Sequence, residues 1–405
     1  MGFTAVTPAL GDALVTRPST PVTSASIRAG NRRAIIDVLR QQGRATQAEL
    51  IKATGLSRST VSSVLSELSD RGLLTEVAGR LPPATGRRPT VIGLNRSAGL
   101  GIGIDIGAKH LAVVIGDLSR KVHAERWWTG TTDAAMDVPQ LVSCIQETMR
   151  QAQADPDVVI GAAVSIATPV PSFGTPAAAP CAVGRTGPDL ADELAAALQI
   201  PVTVENDAAL GVLSELTWGP DYGTAPIAYV KWASRVGAGI AIGKSIFRGA
   251  SGYAGEIGHL TLDPSGHRCW CGSRGCLELY CGGSWILRAL AERGRPLPDL
   301  DAVVARAETG DEQVLDTVLE ATSVLAIGLA HLVNLVNPET VVIGGHLSAL
   351  GDVILAPLRQ ELRALSFVAR SSDVRLVTAK LGDRASVFGA LALVLTEQKT
   401  AITST

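Results

Sequence analysis

The stretch GEIGHLTLDPSGHRCWCGSRGCLELYC, residues 255–281, concentrates side chains that bind metals. It holds four of the six cysteines and two of the six histidines of the 405-residue chain. Cys269, Cys271 and Cys276 lie close together, and the glycines between them allow a tight loop. Such a loop can bring three thiolates onto one ion at tetrahedral geometry, so the stretch predicts a metal site.

Spacing alone leaves the fourth ligand of this site open. His267 is nearest in sequence but would require a cramped loop, His259 can approach from the preceding turn, and Cys281 is a further candidate. A cluster of buried free thiols is the alternative without a metal. The density of cysteines and the intervening glycines favour the metal, and clustered cysteines in such a chain fit a metal site better than a disulfide framework.

The composition is that of a globular protein with two or three domains, because 405 residues exceed what one core holds. Hydrophobic residues make up 46% and charged residues 18%, and no apolar run approaches the roughly 18 residues of a membrane span. Residues 1–27 are rich in Thr, Pro and Ser and show no apolar signal region. They predict a disordered leader on a soluble cytoplasmic protein without a membrane partner.

The net charge of −2 hides an asymmetry along the chain. Residues 28–96 contain twelve Lys and Arg against five Asp and Glu, a local balance of +7 that leaves −9 for the rest. A basic module is therefore joined to an acidic body. The basic part is the candidate for binding the phosphates of a nucleic acid.

The basic module begins with a helical pattern. NRRAIIDVL, residues 31–39, places four apolar residues on one helical face. In TQAELIKATG, Thr46 followed three residues later by Glu49 predicts a capping box, and Gly55 predicts the end of that helix. Ser57 is the predicted N-cap of the next helix.

That next helix has two contrasting faces. Val61, Val64, Leu65 and Leu68 follow the spacing of one buried face. The opposite face carries small polar residues and one arginine. A helix that binds in the DNA major groove requires such residues near its start. We predict DNA contacts from Arg58, Ser59, Ser62 and Ser63.

Residues 73–95 predict two short strands around a basic loop, which together form a wing. Arg87 and Arg88 at its tip are predicted to enter a minor groove or to hold phosphates. Each element taken singly is more often an ordinary helical hairpin or a solvated loop. Their order instead predicts a winged helix-turn-helix that spans residues 28–96. This module resembles that of bacterial transcription regulators.

The acidic body shows strand clusters followed by alternating helix and strand, both before and after about residue 220. This repetition predicts two similar α/β lobes that face a cleft, the usual place for a small ligand. Asp105 ends a strand before a glycine turn, where a carboxylate can face a metal–nucleotide. Asn206 and Asp207 end another strand and suit a sugar hydroxyl, although a helix cap is the alternative for them.

With these residues assembled, the chain from residue 28 to about 396 resembles the ROK family of repressors and sugar kinases. The resemblance rests on GEIGH followed by CWCGSRGCLE. It implies an α/β fold, a winged helix-turn-helix followed by a two-lobed actin-like or hexokinase-like ATPase-type domain. The implied lobes span residues 97–217 and 218–384, with a zinc loop over 255–281 and a helix over 385–397 that packs back on the first lobe.

The resemblance also implies site residues. It implies that a structural Zn²⁺ is bound by His259, Cys269, Cys271 and Cys276. It implies that a sugar is bound by Asn206, Asp207, Glu256, His259 and Glu278. The zinc would fix the loop that presents two of these carboxylates to the sugar.

The nucleotide loops depart from the pattern of the family's kinases. Kinase members use the aspartate matching Asp207 as a base, but their Asp-Ile-Gly-Gly-Thr appears here as DIGAK, with Ala108 and Lys109. Their Gly-Thr-Gly-Ile-Gly appears as ASRVG, with Arg235 at a phosphate-cradling position. We therefore expect no ATP binding, no enzymatic activity and a vestigial base at Asp207.

Together these features predict a sugar-responsive transcription regulator, with repression as the expected sign, of genes for carbohydrate uptake and breakdown. It would bind double-stranded operator DNA as a homodimer or homotetramer. A sugar kinase that carries a DNA-binding module is the alternative. A zinc-binding interaction protein without a ligand is a third and weaker one.

Overall fold

The structure is a computed structural model that describes residues 28, 31–32, 34–36, 38–39, 42–70, 72–77, 90–95, 99–107, 110–130, 137–171 and 187–401. Three parts of the sequence predictions lie outside these residues: the leader over 1–27, the wing-tip residues Arg87 and Arg88, and the loop residues Ala108 and Lys109.

The N-terminal module has the helical pair that the sequence predicts. A helical segment within residues 31–42 precedes α1 (Gln47–Thr54) and α2 (Arg58–Asp70). Thr46 and Glu49 form the capping box reciprocally, because each side chain accepts a hydrogen bond from the other residue's backbone N–H. Gly55 ends α1 in the left-handed conformation with φ 69°.

A small core holds this module together, and its sheet has one strand more than predicted. Buried aliphatic residues from the first helical segment, α1 and α2 form the core: Ile35, Leu39, Leu50, Val61, Val64, Leu65 and Leu68. The antiparallel sheet has the order β1-β3-β2, built from β1 (Arg44–Thr46), β2 (Leu74–Glu76) and β3 (Val91–Leu94). The sequence prediction missed β1, since three residues are too short to show alternation.

The first lobe of the body is built on a five-stranded sheet in the order β6-β5-β4-β7-β8. Its strands are β4 (Leu100–Ile106), β5 (His110–Asp117), β6 (Val122–Thr129), β7 (Val159–Ile166) and β8 (Val202–Asn206). Its helices are α3 (Val138–Gln151), α4 (Gly187–Leu198) and α5 (Asp207–Trp218). Strand β5 is antiparallel to its neighbours β4 and β6, whereas β4, β7 and β8 are parallel to one another.

The second lobe repeats this order as β11-β10-β9-β12-β13. Its strands are β9 (Ile227–Trp232), β10 (Val236–Ile242), β11 (Ser245–Ile246), β12 (Thr340–Gly344) and β13 (Arg375–Thr378). Its helices are α6 (Glu278–Cys281), α7 (Gly283–Glu292), α8 (Leu300–Glu308), α9 (Glu312–Val336), α10 (Asp352–Leu365) and α11 (Phe367–Ser371). The repeated order confirms the two-lobed α/β fold class.

The chain returns to the first lobe through α12 (Ala385–Ala401). Val387, Leu391 and Leu395 pack against β5, while Ala390 and Val394 join the cluster that contains Leu210 of α5 and Ala163 of β7. Residues of lobe 1 thus flank the whole of lobe 2 in sequence. The contact is close, because a Cβ on Gly103 would meet the backbone of α12 at 2.4 Å.

One helix in the described part of the chain, α9, is long and apolar enough to cross a membrane by length and composition. More than half of its apolar window, 56%, is buried inside the protein. This is the burial of a core helix, and Leu325, Ala326 and Leu329 indeed belong to the core of the second lobe.

Candidate functional site

Four side chains in the second lobe converge where the sequence predicts a metal. One ligand atom from each of His259, Cys269, Cys271 and Cys276 lies within 4.8 Å of the others. Nδ1 of His259 is 3.6 Å from Sγ of Cys269, and Sγ of Cys271 is 3.7 Å from Sγ of Cys276. Tetrahedral zinc sites separate their ligand atoms by about 3.3–3.8 Å, so this set can hold a metal ion.

Two thiols of this cluster, those of Cys269 and Cys276, are buried. Burial raises the pKa of the Cys269 thiol to about 12 and also raises that of Cys276. A thiol in such surroundings becomes a thiolate when a bound cation supplies the compensating charge. Cys281 stands apart, since its Sγ donates to the carbonyl oxygen of Leu277 at 3.4 Å. Neither it nor His267 belongs to the cluster that the described residues form.

The imidazole of His259 connects the cysteines with two carboxylates. Its Nε2 is 3.9 Å from Oε2 of Glu256, and its Nδ1 is 3.8 Å from Oε1 of Glu278. Glu278 is buried and accepts a hydrogen bond from Nε1 of Trp270 at 2.7 Å. Burial raises the pKa of Glu256 to about 7, and the charges of Asp207 and Glu278 add to this effect. His259 therefore lies close to two of the carboxylates predicted to hold a sugar.

Asn206 takes the role that the sequence analysis gave as the alternative, a helix cap. Its Oδ1 accepts from the backbone N–H groups of Ala208 at 3.0 Å and Ala209 at 3.2 Å. Its Nδ2 donates to the carbonyl oxygen of Thr168 at 3.4 Å. The cap fixes the first turn of α5 and so places Asp207 in the cleft. Any contact of Asn206 with a sugar would come in addition to these bonds.

Asp207 is paired with a cation that the sequence analysis passed over. Nζ of Lys231, from β9 in the second lobe, lies 2.8 Å from Oδ2 of Asp207. The same ammonium is 2.9 Å from Oγ of Ser386 in α12. Lys231 lies in an otherwise apolar strand. The sequence around it does not indicate that this lysine contacts a carboxylate.

Asp105 lies at the end of β4 and is 2% exposed. Its Oδ2 is 2.9 Å from Nε2 of His110. Burial alone would raise the pKa of Asp105, but the charge of Lys231 and the hydrogen bond to His110 hold it below its usual value. Asp105 and Asp207, both from the first lobe, thus share the influence of one ammonium from the second.

The loop between β9 and β10 is closed on itself. The N–H of Ala233 donates to the carbonyl oxygen of Arg235 at 3.1 Å, and residues 233–235, all described by the structure, have no positive φ. Arg235 places its guanidinium 4.8 Å above the ring of Trp270 and donates to the carbonyl oxygen of Ala167 at 3.4 Å. The hydrogen bond engages the Ala233 amide, and the Arg235 side chain is directed toward Trp270 and the first lobe.

Two glycines in the second lobe serve the protein's own packing. A Cβ on Gly239 of β10 would meet the carbonyl oxygen of Ala208 at 2.1 Å, because α5 crosses the strand there. Gly345 has φ 80°, and a Cβ on it would meet the carbonyl oxygen of Trp232 at 2.5 Å. Both positions need glycine for contact with neighbouring backbone.

A second pair across the cleft was also missed. Nε of Arg248 lies 2.6 Å from Oε2 of Glu205, the residue before Asn206. Arg248 follows β11 in the second lobe, whereas Glu205 ends β8 in the first. Three side chains of the second lobe therefore reach the first around the predicted sugar residues, namely Lys231, Arg235 and Arg248. Their partners are distant in sequence, so spacing gave no indication of them.

In the N-terminal module, α2 presents the predicted DNA face to solvent. Arg58, Ser59, Ser62 and Ser63 are all exposed, whereas Val61 and the other apolar residues of the helix point into the core. Oγ of Ser57 accepts from the N–H of Thr60 at 3.1 Å, which caps the helix start. The face is small and polar over its first two turns and can approach base edges.

Comparison with known protein families finds two matches that divide the chain in the same way as the structure. The family model described as ROK family matches residues 101–397. The model described as winged helix-turn-helix DNA-binding matches residues 28–75.

Among individual proteins, the chain is similar to the xylose repressor of Caldicellulosiruptor bescii, with 28% identity over 368 residues, 87% of this chain and 92% of the relative. Among solved structures, a ROK family transcriptional regulator described as a homologue of the E. coli MLC protein aligns with TM-score 0.75 and 23% identity over 93% of this chain and 98% of that one. A ROK family glucokinase from Streptomyces griseus, in complex with glucose and AMPPNP, aligns with TM-score 0.61 and 26% identity over 73% of this chain and 99% of that one.

Proposed function

The chain belongs to the ROK family, and from this premise we propose that it is a sugar-responsive transcriptional repressor of genes for carbohydrate uptake and breakdown. The observation that carries the proposal is one chain that joins an exposed polar helix, α2, to a two-lobed body. In this body the bulky Arg235 side chain of the loop between β9 and β10 packs over Trp270. The similarity to a xylose repressor over both parts of the chain supports it.

In this proposal the sugar lies between the two lobes, against Asn206, Asp207, Glu256, His259 and Glu278. Carboxylates and an imidazole that converge in a partly buried cleft can hydrogen-bond several hydroxyl groups at once. The convergence of Glu256, His259 and Glu278 within 4 Å contacts supports this placement.

The proposed cofactor is one structural Zn²⁺ per chain, bound by His259, Cys269, Cys271 and Cys276. Bound zinc would cross-link the loop that carries Glu278 to the turn that carries Glu256. The chain's own residues then orient the carboxylates, since Trp270 holds Glu278 by its indole N–H.

Regulation follows from the contacts that cross the cleft. Lys231, Arg235 and Arg248 of the second lobe contact the first lobe around the proposed sugar residues. A sugar that binds between the lobes changes the balance of these contacts and selects one arrangement of the lobes. The winged module precedes β4 of the first lobe, and in a dimer a change in the arrangement of the lobes would change the spacing of the two modules.

We place the protein in the cytoplasm on double-stranded operator DNA, as a homodimer. One recognition helix offers too few base contacts for tight specific binding, and operators commonly mirror a two-fold axis. Sedimentation of the purified protein with and without operator DNA distinguishes a dimer from a tetramer.

The test of the proposed function is operator binding under sugar control. Zinc-loaded protein would be used to select genomic DNA fragments, and the recovered sequence would then be titrated by fluorescence anisotropy with D-xylose, D-glucose and their phosphates. We expect one sugar to weaken specific binding at least tenfold. Absence of any sequence-specific DNA binding across sugars and salt concentrations would refute the proposal.

A sugar kinase that carries a DNA-binding module is the second candidate. It is favoured by the strand-end position of Asp105, by Asp207 at the helix start and by the similarity to a glucokinase. A coupled assay for sugar-dependent ADP release separates the two candidates. We expect no turnover, and turnover that Asp207→Asn abolishes would establish the kinase.

A further inference from the structure

Lys231 contacts two elements of the opposite lobe and acts electrostatically on a third. Its ammonium lies 2.8 Å from the carboxylate of Asp207 in α5 and 2.9 Å from the hydroxyl of Ser386 in α12. It also acts on Asp105 at the end of β4, whose pKa its charge lowers. The Lys231 side chain is 16% exposed, so these are its surroundings in place of water.

The positive charge of this lysine opposes the charges of two carboxylates. Burial would lower the pKa of Lys231, but the charges of Asp207 and Asp105 outweigh burial and raise it. A lysine that stays charged in a buried place partly compensates Asp105 and Asp207, which are 2% and 9% exposed. Without it, two buried anions would lie in one cleft with His110 as the hydrogen-bonding neighbour of Asp105.

In phosphotransferases, acidic residues at such a position are compensated by a divalent cation that accompanies the nucleotide. We propose that Lys231 is an internal counter-ion that replaces this cation for Asp105 and pairs directly with Asp207, so that the cleft binds a neutral ligand without Mg²⁺ or nucleotide. The second half of this statement rests on the proposed function, and the counter-ion role itself does not.

The geometry also assigns Lys231 a positioning role. Lys231 pairs with Oδ2 of Asp207, so Oδ1 is the oxygen that can accept a hydrogen bond from a ligand hydroxyl. An ammonium on one oxygen fixes the plane of the carboxylate and makes the residue a fixed hydrogen-bond acceptor. This role differs from that of a base that must receive a proton.

The experiment compares thermal unfolding of zinc-loaded wild-type protein and Lys231→Met, each with and without 10 mM MgCl₂, a concentration on the order of ordinary enzyme buffers. Methionine keeps the length of the side chain and removes its charge. We expect Lys231→Met to lower the midpoint by roughly 10 °C, MgCl₂ to restore part of this loss, and wild type to show no response to MgCl₂.

Lys244→Met is the matched control, because Nζ of Lys244 pairs with Asp221 at 3.3 Å on the surface, where both side chains are more than half exposed. We expect it to leave the midpoint almost unchanged. The double variant Lys231→Met/Asp207→Asn should regain stability relative to Lys231→Met, since it removes one of the uncompensated charges. A Lys231→Met protein that melts like the Lys244→Met control would overturn the counter-ion role.

A sugar titration tests the consequence for the ligand. Calorimetry of wild-type protein against D-xylose and D-glucose, in buffer without Mg²⁺ and again with Mg²⁺–ADP, should give the same affinity within about twofold. A sugar that binds only in the presence of Mg²⁺–ADP would overturn the proposal. The melting comparison uses neither sugar nor DNA, so its outcome is independent of the operator test of the proposed function.

Discussion

Nε2 of His259 lies 3.9 Å from Oε2 of Glu256, while Nδ1 of the same ring faces Sγ of Cys269 at 3.6 Å. One imidazole therefore belongs both to the cysteine cluster and to the wall of the cleft. Its orientation, and with it the contact to Glu256, depends on what holds the cluster together. Loss of a metal should thus disturb sugar binding before it disturbs the DNA-binding module.

Cys276→Ser should abolish zinc binding, because Cys276 is fully buried in the cluster and a serine hydroxyl is a poor zinc ligand. Elemental analysis should give one zinc per chain for wild type and none for the variant. Cys281→Ser is the control, since Cys281 is equally buried but bonds to the carbonyl oxygen of Leu277. Equal zinc contents in the two variants would contradict the assigned ligand set.

Arg58→Ala should weaken specific operator binding by about 1–3 kcal/mol, roughly 5- to 150-fold, as expected for the loss of a base contact. Arg58 is exposed at the start of α2. Arg306→Ala removes the same charge from an exposed position of α8 and should have no comparable effect. Anisotropy titrations at two salt concentrations measure both, and equal losses would show that overall charge alone governs binding.

Glu256→Ala should weaken sugar binding at least about tenfold, because a ligand would lose a partly buried acceptor in the cleft. Operator affinity in the absence of sugar should remain that of wild type. Calorimetry and anisotropy on the same preparation measure the two effects. Glu308→Ala, at the exposed end of α8, serves as the control that changes neither. A variant that loses sugar and DNA binding together would argue against separable modules.

Gly239→Ala should destabilise the protein by about 3 kcal/mol or more, since the new Cβ would meet the carbonyl oxygen of Ala208 at 2.1 Å. Gly237→Ala, two residues earlier on β10, places its Cβ 3.6 Å from the Ala208 side chain and should be tolerated. Urea unfolding compares the two variants. Equal stability would show that the contact between α5 and β10 is looser than the structure has it.

The sequence predicted those features whose causes are local. The capping box of Thr46 and Glu49, the stop at Gly55 and the cysteine cluster each depend on residues close together in the chain. The strand repetition on both sides of residue 220 likewise predicted the two lobes, since each strand carries its own apolar pattern.

The cleft contacts were not predictable in this way. Lys231 meets Asp207 and Ser386 only because β9, α5 and α12 come together in the folded protein. Arg248 meets Glu205 for the same reason. The sequence left Asn206 open between a sugar contact and a cap, and the structure shows the cap because α5 begins at the next residue. Contacts between residues that are distant in the chain determine the partners of these side chains, and the spacing of residues in a single sequence does not indicate such contacts.

The return of α12 to the first lobe has a consequence for how the protein is made. Val387, Leu391 and Leu395 fill the core against β5, so the first lobe lacks part of its interior until the entire second lobe has been synthesised. The winged module, whose core lies within residues 35–94, has no such dependence. During translation it can therefore fold early, whereas the first lobe must wait as an incomplete intermediate. Binding of chaperones to the nascent chain should accordingly concentrate on the first lobe, residues 100–218.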